Sequence, residues 1–378
     1  MFDYETLRLL TWAIVGVLLI GFIITDGFDM GVAALLPILG RSDVQRRVMI
    51  NSIAPHWDGN QVWLIAAGGA IFTVWPLVYA TAFSSFYLAM MLLLAALWLR
   101  PIGMDYRSKI DNPSWRKACD NALFISGVVP PLIFGIGFGN LLVGVPFQLN
   151  NLLMLDYQGH FGDLFTPFPL LCGLLSLAMV VTQGATFLQL KTCDDLRERS
   201  RRVSIVGASM ALALFLLGGL LASNMAGYSI LSPVTMDEAS NPLQKEVVVV
   251  AHYLLHNYQE HMSLWLIPCS GLISLLASIW VNSKGEPGWG FLFSSLAIMC
   301  IVLTAAMALF PMVMPSSLVP SHSLTIWDAT SSQKTLNIIT IVAIFVIPVI
   351  LSYTIWSYYK MLGRLDNEYI HNHSSSLY

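Results

Sequence analysis

The chain has 378 residues, of which 56% are hydrophobic and 11% are charged, whereas about 25% of the residues of an ordinary soluble domain are charged. Its formal net charge of −3 provides no basic excess of the kind that binds nucleic acid. So apolar a chain needs a lipid environment, and its composition therefore indicates an integral membrane protein. We predict one membrane domain over residues 1–378, since no stretch is long enough for a separate soluble domain.

Long uncharged stretches predict the membrane spans, each of which needs about 20 mostly apolar residues. The N-terminal sequence MFDYETLRLL is acidic rather than basic, which is atypical of a secretory signal, so residues 9–25 are predicted as a retained first span. Apolar sequence resumes after two aspartates and continues to Gly40. The uncharged stretch 59–99 is too long for one span, and Trp75-Pro76 near its middle predicts a tight hairpin of two. Six further uncharged stretches each predict one helix, which brings the total to nine. These stretches are 121–155, 164–190, 203–236, 262–283, 287–327 and 335–359.

The distribution of lysine and arginine predicts the orientation of this all-α polytopic protein. Nine spans place the two ends of the chain on opposite sides of the membrane. One set of connections, together with the C-terminal tail, holds 16 of the 19 basic residues. The other side has only Arg8, Lys245 and Lys334. Because cytoplasmic loops carry the excess of basic residues, the N-terminus is predicted outside and the C-terminus in the cytoplasm.

Two aspartates lie in the apolar sequence TDGFDMG, where a charge is costly unless it is paired or hydrated. Asp26 and Asp29 are three residues apart, so a helix would place them on one face. They are predicted near the cytoplasmic end of the first span. Such carboxylates either share a proton or meet cations, and both arrangements suit a proton route. The alternative is a pair of helix-end carboxylates bonded to neighbouring arginines.

Further ionisable residues lie at the predicted cytoplasmic ends of the second and third spans. Asp58, in SIAPHWDGNQVWL, is placed to collect protons from the cytoplasm, or it caps a helix N-terminus. Arg100 and Asp105 lie in RPIGMDYR at the end of the third span. Arg100 either reaches lipid phosphate or is the counter-ion of Asp26 or Asp29, and the sequence leaves both possibilities open.

The histidines and cysteines bear on which cofactors the chain holds itself. No histidine lies well inside a predicted span, so we do not expect a bis-histidine haem held wholly by this chain. His252 and His256 have a spacing compatible with a metal site on a helix, but they lie in an acidic outer loop without a third ligand in register. The five cysteines form no CxxC pair. We predict no metal site in this chain.

Small residues predict where helices approach each other closely, because packing between helices in lipid depends on short side chains. The second span contains Ala66, Ala67, Gly68, Gly69 and Ala70 in succession. The fourth span contains glycines at alternate positions, namely Gly135, Gly137 and Gly139. Replacing Gly69 by leucine is therefore expected to disrupt assembly before it affects any chemistry.

Several charge-bearing motifs resemble subunit II of cytochrome bd quinol oxidase. The resemblance extends from MFDYETLR to the C-terminal SSSLY. One small departure is Trp98-Leu99, where family members often carry two phenylalanines. The motifs are TDGFDMG at 25–31, NSIAPHWDGNQVWL at 51–64, RPIGMDYRSKI at 100–110, FGNLLVGVPF at 138–147 and MPSS…WDATSSQKTLN at 314–337.

The resemblance implies a bacterial inner-membrane terminal oxidase that oxidises quinol at the outer face. It implies reduction of dioxygen to water with cytoplasmic protons, so that proton-motive force arises by charge separation without a pump. Two haems b and one haem d are implied in the complex, ligated chiefly by subunit I. A small single-helix subunit often joins the complex, and subunit II of this family can hold a structural quinone.

The resemblance also implies roles for individual residues, although it identifies none as certainly catalytic. Asp58 corresponds to the proposed point of proton uptake. Asp26, Asp29, Arg100 and Asp105 are its expected surroundings on the proton route. Trp63 matches the position associated with dioxygen access to haem d, whereas its residue type alone indicates an aromatic side chain packed against lipid or a partner.

Two other functions are compatible with the composition. Buried acids and helices broken by glycine and proline also suit a proton-coupled secondary transporter, but that class predicts inverted repeats, which the sequence does not show. The chain is otherwise a non-catalytic assembly subunit whose aspartates merely pair with arginines.

Overall fold

The computed structural model describes residues 2–232 and 236–366, so His371 and His373 of the C-terminal tail lie outside this range. Helices dominate the described chain. They are α1 (Tyr4–Leu39), α2 (Asp43–Ile53), α3 (Trp57–Val74), α4 (Pro76–Ser85), α5 (Tyr87–Asp105), α6 (Pro113–Val143), α7 (Pro167–Lys191), α8 (Asp194–Ala222), α9 (His256–Glu260), α10 (Leu266–Ser283), α11 (Pro287–Leu309) and α12 (Gln333–Lys360).

Helix length and composition confirm the predicted fold class of a helical polytopic membrane protein. Within the described residues, eight helices are long and apolar enough to cross a membrane. The pair α3 and α4 passes the same test together, although the two helices are bent by 117° at Trp75. Counting that pair as one span gives nine, the predicted number. Which end faces the cytoplasm stays a prediction.

The first span differs from its prediction because α1 does not end at the aspartates. It runs without interruption from Tyr4 to Leu39, 36 residues or about 54 Å at 1.5 Å per residue. Asp26 and Asp29 therefore lie inside the helix, with ten residues following Asp29. The helix can continue through them because each carboxylate has a polar partner on another helix.

The predicted tight hairpin at Trp75-Pro76 is also wrong in detail. Trp75 ends α3, and Pro76 occupies the first position of a separate ten-residue helix, α4. Proline suits that position because the missing N–H would have no helical partner there. Phe86 then separates α4 from α5. α3 and α5 are therefore joined by a short angled helix rather than by a tight turn.

Polar side chains fix the starts of several helices. Asp3, Ser42, Asn112 and Ser332 each accept a hydrogen bond from a backbone N–H in the first turn of the helix that follows. Such a cap satisfies one of the free donors at a helix N-terminus. These caps fix the residue at which each of α1, α2, α6 and α12 begins.

Two polar ends flank the membrane-spanning bundle. At one end the basic loops contact each other: Arg46 Nη1 lies 2.7 Å from Asp120 Oδ2, and Arg199 Nη2 donates to Gln45 Oε1 over 2.8 Å. At the opposite end three small antiparallel sheets form from the longer loops. They pair β1 (Phe147–Leu149) with β2 (Leu155–Tyr157), β3 (Gly227–Ile230) with β4 (Val247–Val250), and β5 (Met312–Met314) with β6 (Leu324–Thr325).

The core forms around α1, which packs against α3, α6, α7 and α12. Gly31 of α1 and Gly184 of α7 meet so closely that a Cβ on Gly31 would lie 2.9 Å from Gly184 Cα. The predicted small-residue contact is present at Gly135, where a Cβ would lie 2.5 Å from the Cys172 carbonyl oxygen. At Gly69 and Gly137 a Cβ would meet nothing within 4 Å. Those two glycines do not mediate packing within this chain.

Large apolar side chains cover the outer surface of the bundle. Ile65, Trp98 and Phe345 are 72%, 70% and 69% exposed, respectively. A soluble monomer would not leave such residues in water, since extended apolar surface marks contact with membrane or protein. This surface therefore faces lipid or another membrane subunit.

Candidate functional site

A buried ion pair joins α1 to α5. Asp26 and Arg100 are both fully buried, and Arg100 Nη1 donates to Asp26 Oδ1. The structure thus resolves the alternatives for Arg100: it is the counter-ion of Asp26. Removing one partner of such a pair would leave an uncompensated charge in a medium of low dielectric constant.

Asp29 lies one turn further along α1 and is also fully buried. Its partner is an amide, since Asn60 of α3 donates from Nδ2 to Asp29 Oδ2 over 2.7 Å. The other end of that amide is occupied as well, because the Tyr358 hydroxyl of α12 donates to Asn60 Oδ1 over 2.7 Å. Asn60 Nδ2 also lies 3.3 Å from the Thr25 carbonyl oxygen. Three helices therefore meet at this carboxylate.

The two carboxylates retain capacity for further hydrogen bonds. Asp26 Oδ2 and Asp29 Oδ1 are buried and have no hydrogen-bond partner among the described residues, and the same is true of Arg100 Nε and Nη2. Buried polar atoms are nearly always hydrogen-bonded, and leaving one unpaired costs about 1–3 kcal/mol. Two carboxylate oxygens and two guanidinium nitrogens of this buried cluster can thus still form hydrogen bonds. This arrangement can take up and release protons.

Asp58 and Asp105 do not join this cluster within the described structure. Asp58 is exposed and lies in the first turn of α3, where His56 is the N-cap residue, so the predicted capping role is wrong. It stands two residues before Asn60, which places it on nearly the opposite face of the helix. Asp105 is half-buried at the last position of α5. Neither side chain forms an ion pair or hydrogen bond with Asp26, Asp29 or Arg100 in the part described.

Trp63 lies on the buried face of α3 and is 2% exposed. Its ring packs against α1 so closely that a Cβ on Gly21 would lie 2.5 Å from Trp63 Cε3. The indole Nε1 has no hydrogen-bond partner among the described residues. The side chain thus packs between two helices of this chain, rather than facing lipid as its residue type alone suggested.

Asn60 and Tyr358 were not among the predicted site residues. The signal for Asn60 was its polarity within an otherwise apolar span. Tyr358 carries no comparable signal, because tyrosine is common where helices leave the membrane. The sequence analysis also missed a second buried ion pair, in which Arg107 Nε lies 2.7 Å from Asp120 Oδ1. The sequence alone indicates only that Arg107 belongs to a basic loop.

His56 is the titratable group just outside α3. Burial, and secondarily the positive charge of Lys191, lower the pKa of His56 to about 4. Its Nδ1 lies 3.2 Å from Ser357 Oγ, and its ring packs edge-on against Tyr358. His56 is consequently neutral at pH 7 and adds no positive charge beside the Asn60–Tyr358 pair.

The described residues do not fit a haem held by this chain alone. Six histidines lie in the described ranges and none is inside a membrane-spanning helix. His56 has its Nδ1 engaged with Ser357, and His256 Nε2 lies 3.1 Å from Glu260 Oε1 at the end opposite the basic loops. No group of three metal-ligating side chains occurs within the described part. The chemistry of this chain's interior is that of carboxylates, an arginine and an amide.

Fold and site together define a polytopic helical membrane protein with a buried acid–arginine cluster near its basic end. The family model described as cytochrome bd terminal oxidase subunit II matches residues 7–361. The chain belongs to that family. The predicted resemblance is thereby confirmed, in preference to the transporter.

Individual relatives agree with this assignment. The chain is 52% identical to the cytochrome bd-I ubiquinol oxidase subunit 2 of Escherichia coli K12, over 100% of both chains. It is 50% identical to the probable cytochrome oxidase subunit 2 of Haemophilus influenzae, again over 100% of both. The solved bd oxidase of Geobacillus thermodenitrificans shares the fold with a TM-score of 0.69, covering 94% of this chain and 97% of that chain at 16% identity.

Family membership establishes the general role of the chain. It is an inner-membrane subunit of a respiratory oxidoreductase. A subunit II implies a subunit I as its partner, and the family implies haem cofactors in the complex.

Proposed function

We propose that this chain, assembled with subunit I, forms an oxidase that takes electrons from quinol at the outer face and reduces dioxygen to water. Protons for water come from the cytoplasm, so charge separates across the membrane without a pump. The chain is active only in the complex, in which subunit I holds two haems b and one haem d. A small single-helix subunit and a structural quinone complete the proposed assembly, and the basic end of this chain faces the cytoplasm.

The observation that carries this proposal is the cluster of Asp26, Arg100 and Asp29 inside the bundle. Arg100 neutralises Asp26, whereas Asp29 has only an amide partner and one free carboxylate oxygen. Ionisable groups in the interior of a membrane protein are costly and commonly mark proton or ion pathways. Asp29 is therefore the proposed proton carrier, and Arg100 holds Asp26 as a fixed negative partner.

Asp58 is the proposed point of proton uptake, with Asp105 also near the basic end. Asp58 is exposed on the surface of this chain. An exposed carboxylate exchanges protons with water readily. Protons then pass from Asp58 toward Asp29 through groups that the assembled complex brings between them.

Replacing Asp29 by asparagine tests the proton route. The variant is assembled with subunit I, and oxygen consumption is divided by haem content. We expect at least a tenfold lower rate per haem, because general acid–base groups contribute about 10²-fold or more. Asp111→Asn is the matched control, since Asp111 is an exposed acid at the same end.

The outcome distinguishes the route from an assembly role. Full haem content with a low rate supports proton transfer through Asp29. A rate per haem equal to that of the wild type, with haem content lowered, would show that Asp29 serves assembly alone. Asp58→Asn is then measured in the same way, and an unchanged rate at full haem content removes Asp58 from the route.

Trp63 is the proposed wall of the dioxygen path. Its indole is buried between α1 and α3, so it offers apolar surface inside the bundle. If dioxygen passes along this surface, Trp63→Phe changes KM for dioxygen while kcat stays constant. An unaltered KM for dioxygen in a haem-replete Trp63→Phe complex contradicts this role.

A further inference from the structure

We propose that Tyr358, acting through Asn60, is a positioning residue that restricts proton transfer at Asp29 to one carboxylate oxygen, Oδ1. This inference rests on the proposed proton route through Asp29 and adds a determinant that the motif pattern does not contain. Asn60 and Tyr358 neither gain nor lose a proton. Asp29 accepts a proton on Oδ1 from the group before it on the route and releases it to the group after it.

The first step of the argument is the direction of the hydrogen bonds. Tyr358 donates to Asn60 Oδ1 over 2.7 Å, and Asn60 donates from Nδ2 to Asp29 Oδ2 over 2.7 Å. An amide presents two donors at one end and an acceptor at the other. Once its oxygen accepts from the tyrosine, its NH₂ group must face Asp29. The Thr25 carbonyl oxygen, 3.3 Å from Nδ2, favours the same orientation.

The second step concerns the two oxygens of Asp29. Oδ2 already accepts from the Asn60 amide, so a proton bound there would share that oxygen with a donor and weaken the amide bond. Oδ1 is buried and has no partner within the described chain, so it is free to accept. The amide thus makes Oδ2 the less favourable oxygen for the proton, and the tyrosine hydroxyl holds the amide in place. Without that hydroxyl the amide can rotate and present its oxygen to a protonated Asp29.

The third step is what holds the hydroxyl in place. The Tyr358 ring packs edge-on against His56 at 4.7 Å and against Phe28 at 5.9 Å between ring centroids. Tyr358 has two side-chain torsions, and both are restricted by this packing. The hydroxyl is therefore aimed at Asn60 before any proton arrives. Such preorganisation is what a positioning group contributes.

The groups around Asp29 determine the expected pH dependence. The charged and titratable neighbours in the described chain are Asp26 on α1, Arg100 on α5 and Tyr358 on α12, with His56 behind Tyr358. The Tyr358–Asn60 chain donates toward the carboxylate and stabilises its ionised form. Removing the hydroxyl weakens that stabilisation, so the pH profile of turnover is expected to move to higher pH.

Tyr353 provides a matched control on the same helix. Its hydroxyl also bonds α3, through the Gly59 carbonyl oxygen over 2.9 Å, but this bond does not reach Asp29. Tyr353→Phe and Tyr358→Phe thus each remove one hydroxyl that links α12 to α3. Only the second change releases the Asn60 amide. A difference between the two variants isolates positioning from helix packing.

The experiment measures oxygen consumption per haem as a function of pH, in H₂O and in D₂O, for the complete complex. For Tyr358→Phe we expect a roughly fivefold lower rate at neutral pH, the effect of one hydrogen bond. We also expect a profile displaced to higher pH and a larger solvent isotope effect. Tyr353→Phe is expected to match the wild type in all three. Asn60→Ala, which removes the amide donor itself, is expected to displace the profile in the same direction and further.

Two results overturn the inference. If Tyr358→Phe behaves like Tyr353→Phe while Asp29→Asn abolishes turnover, the proton route stands and the positioning role fails. If Asn60→Ala leaves the pH profile of turnover unmoved, the amide does not influence proton transfer at Asp29. This conclusion holds even where Tyr358→Phe assembles poorly. An Asp29→Asn complex with full turnover is a different failure, since it removes the proposed route itself.

Discussion

Arg8 donates from Nε to the hydroxyl of Thr330 over 3.0 Å, which joins the start of the first helix to the segment before the last one. The guanidinium is fully buried, and Nη2 donates to the Glu238 carbonyl oxygen over 2.9 Å. It also lies over the Tyr4 ring, 3.7 Å from the ring centroid. One cation thus binds three chain segments at the end opposite the basic loops.

Replacing Arg8 by methionine is expected to destabilise this end of the molecule. Several charge-assisted hydrogen bonds are lost and their acceptors stay buried, at a cost of about 2–3 kcal/mol. We expect a lower Tm for the solubilised complex in a thermal unfolding scan. Lys334→Ala is the control, because Lys334 is an exposed basic residue at the same end. Equal Tm values for the two variants would show that the Arg8 contacts contribute no stability.

Glycines of α6 differ sharply in what a larger side chain would meet. A Cβ at Gly135 would lie 2.5 Å from the Cys172 carbonyl oxygen, whereas at Gly137 it would meet nothing within 4 Å. Gly135→Leu is therefore expected to separate α6 from α7 and to lower the yield of folded chain. Gly137→Leu adds surface toward the outside and is expected to be tolerated by this chain. The measurement is the yield of monodisperse protein in detergent, and similar yields would contradict the packing argument.

Because Asp26 and Arg100 form a buried ion pair, the stability of single and double variants of these residues is expected to differ. Arg100→Met leaves Asp26 as an unpaired buried charge, at a cost of about 3–5 kcal/mol. Adding Asp26→Asn removes that charge, so the double variant is expected to be more stable than Arg100→Met alone. Arg116, which is half-buried and lies 2.9 Å from the exposed Asp111, is the comparison. Arg116→Met is expected to change stability by less than about 1 kcal/mol. A double variant less stable than both single variants contradicts the prediction.

A contact of His322 makes the stability of the loops opposite the basic end depend on pH. The Leu149 N–H donates to His322 Nδ1 over 3.1 Å, which requires an unprotonated imidazole nitrogen. Burial, and secondarily the nearby Lys245, lower the pKa of His322. The unfolded chain then binds a proton more readily than the folded one, so stability is present above about pH 6.5 and is lost as the pH falls below it.

The measurement is Tm of the solubilised complex between pH 8 and pH 5.5. The wild type is expected to lose stability in that window by up to about 1 kcal/mol. His322→Asn keeps an acceptor that does not titrate, so it is expected to reduce the dependence while leaving Tm at pH 8 nearly unchanged. His252→Asn serves as the control, since His252 is an exposed loop residue at the same end of the molecule. An identical pH dependence in His322→Asn and the wild type argues against this contact.

The predicted and the observed site differ because some features depend on neighbouring residues, whereas others depend on residues far apart in the sequence. Asp26, Asp29 and Arg100 were predicted because a charge in an apolar stretch is visible locally. The sequence left open whether Arg100 pairs with Asp26, which is 74 residues away, and it did not indicate the bond between Asn60 and Tyr358, which are 298 residues apart. The uninterrupted α1 was missed for the same reason. Two aspartates suggest a helix end unless their partners on other helices are known.

The sequence by itself determined that this is a helical membrane protein, and it predicted nine spans, because hydropathy depends only on neighbouring residues. It also carried the family's motifs, because these are contiguous strings such as TDGFDMG and RPIGMDYR. Only the tertiary structure decided that Arg100 pairs with Asp26, that Asp29 is held by Asn60 and Tyr358, and that Gly135 rather than Gly69 contacts a neighbouring helix. Those choices depend on how helices rotate and cross in three dimensions, which no local pattern specifies.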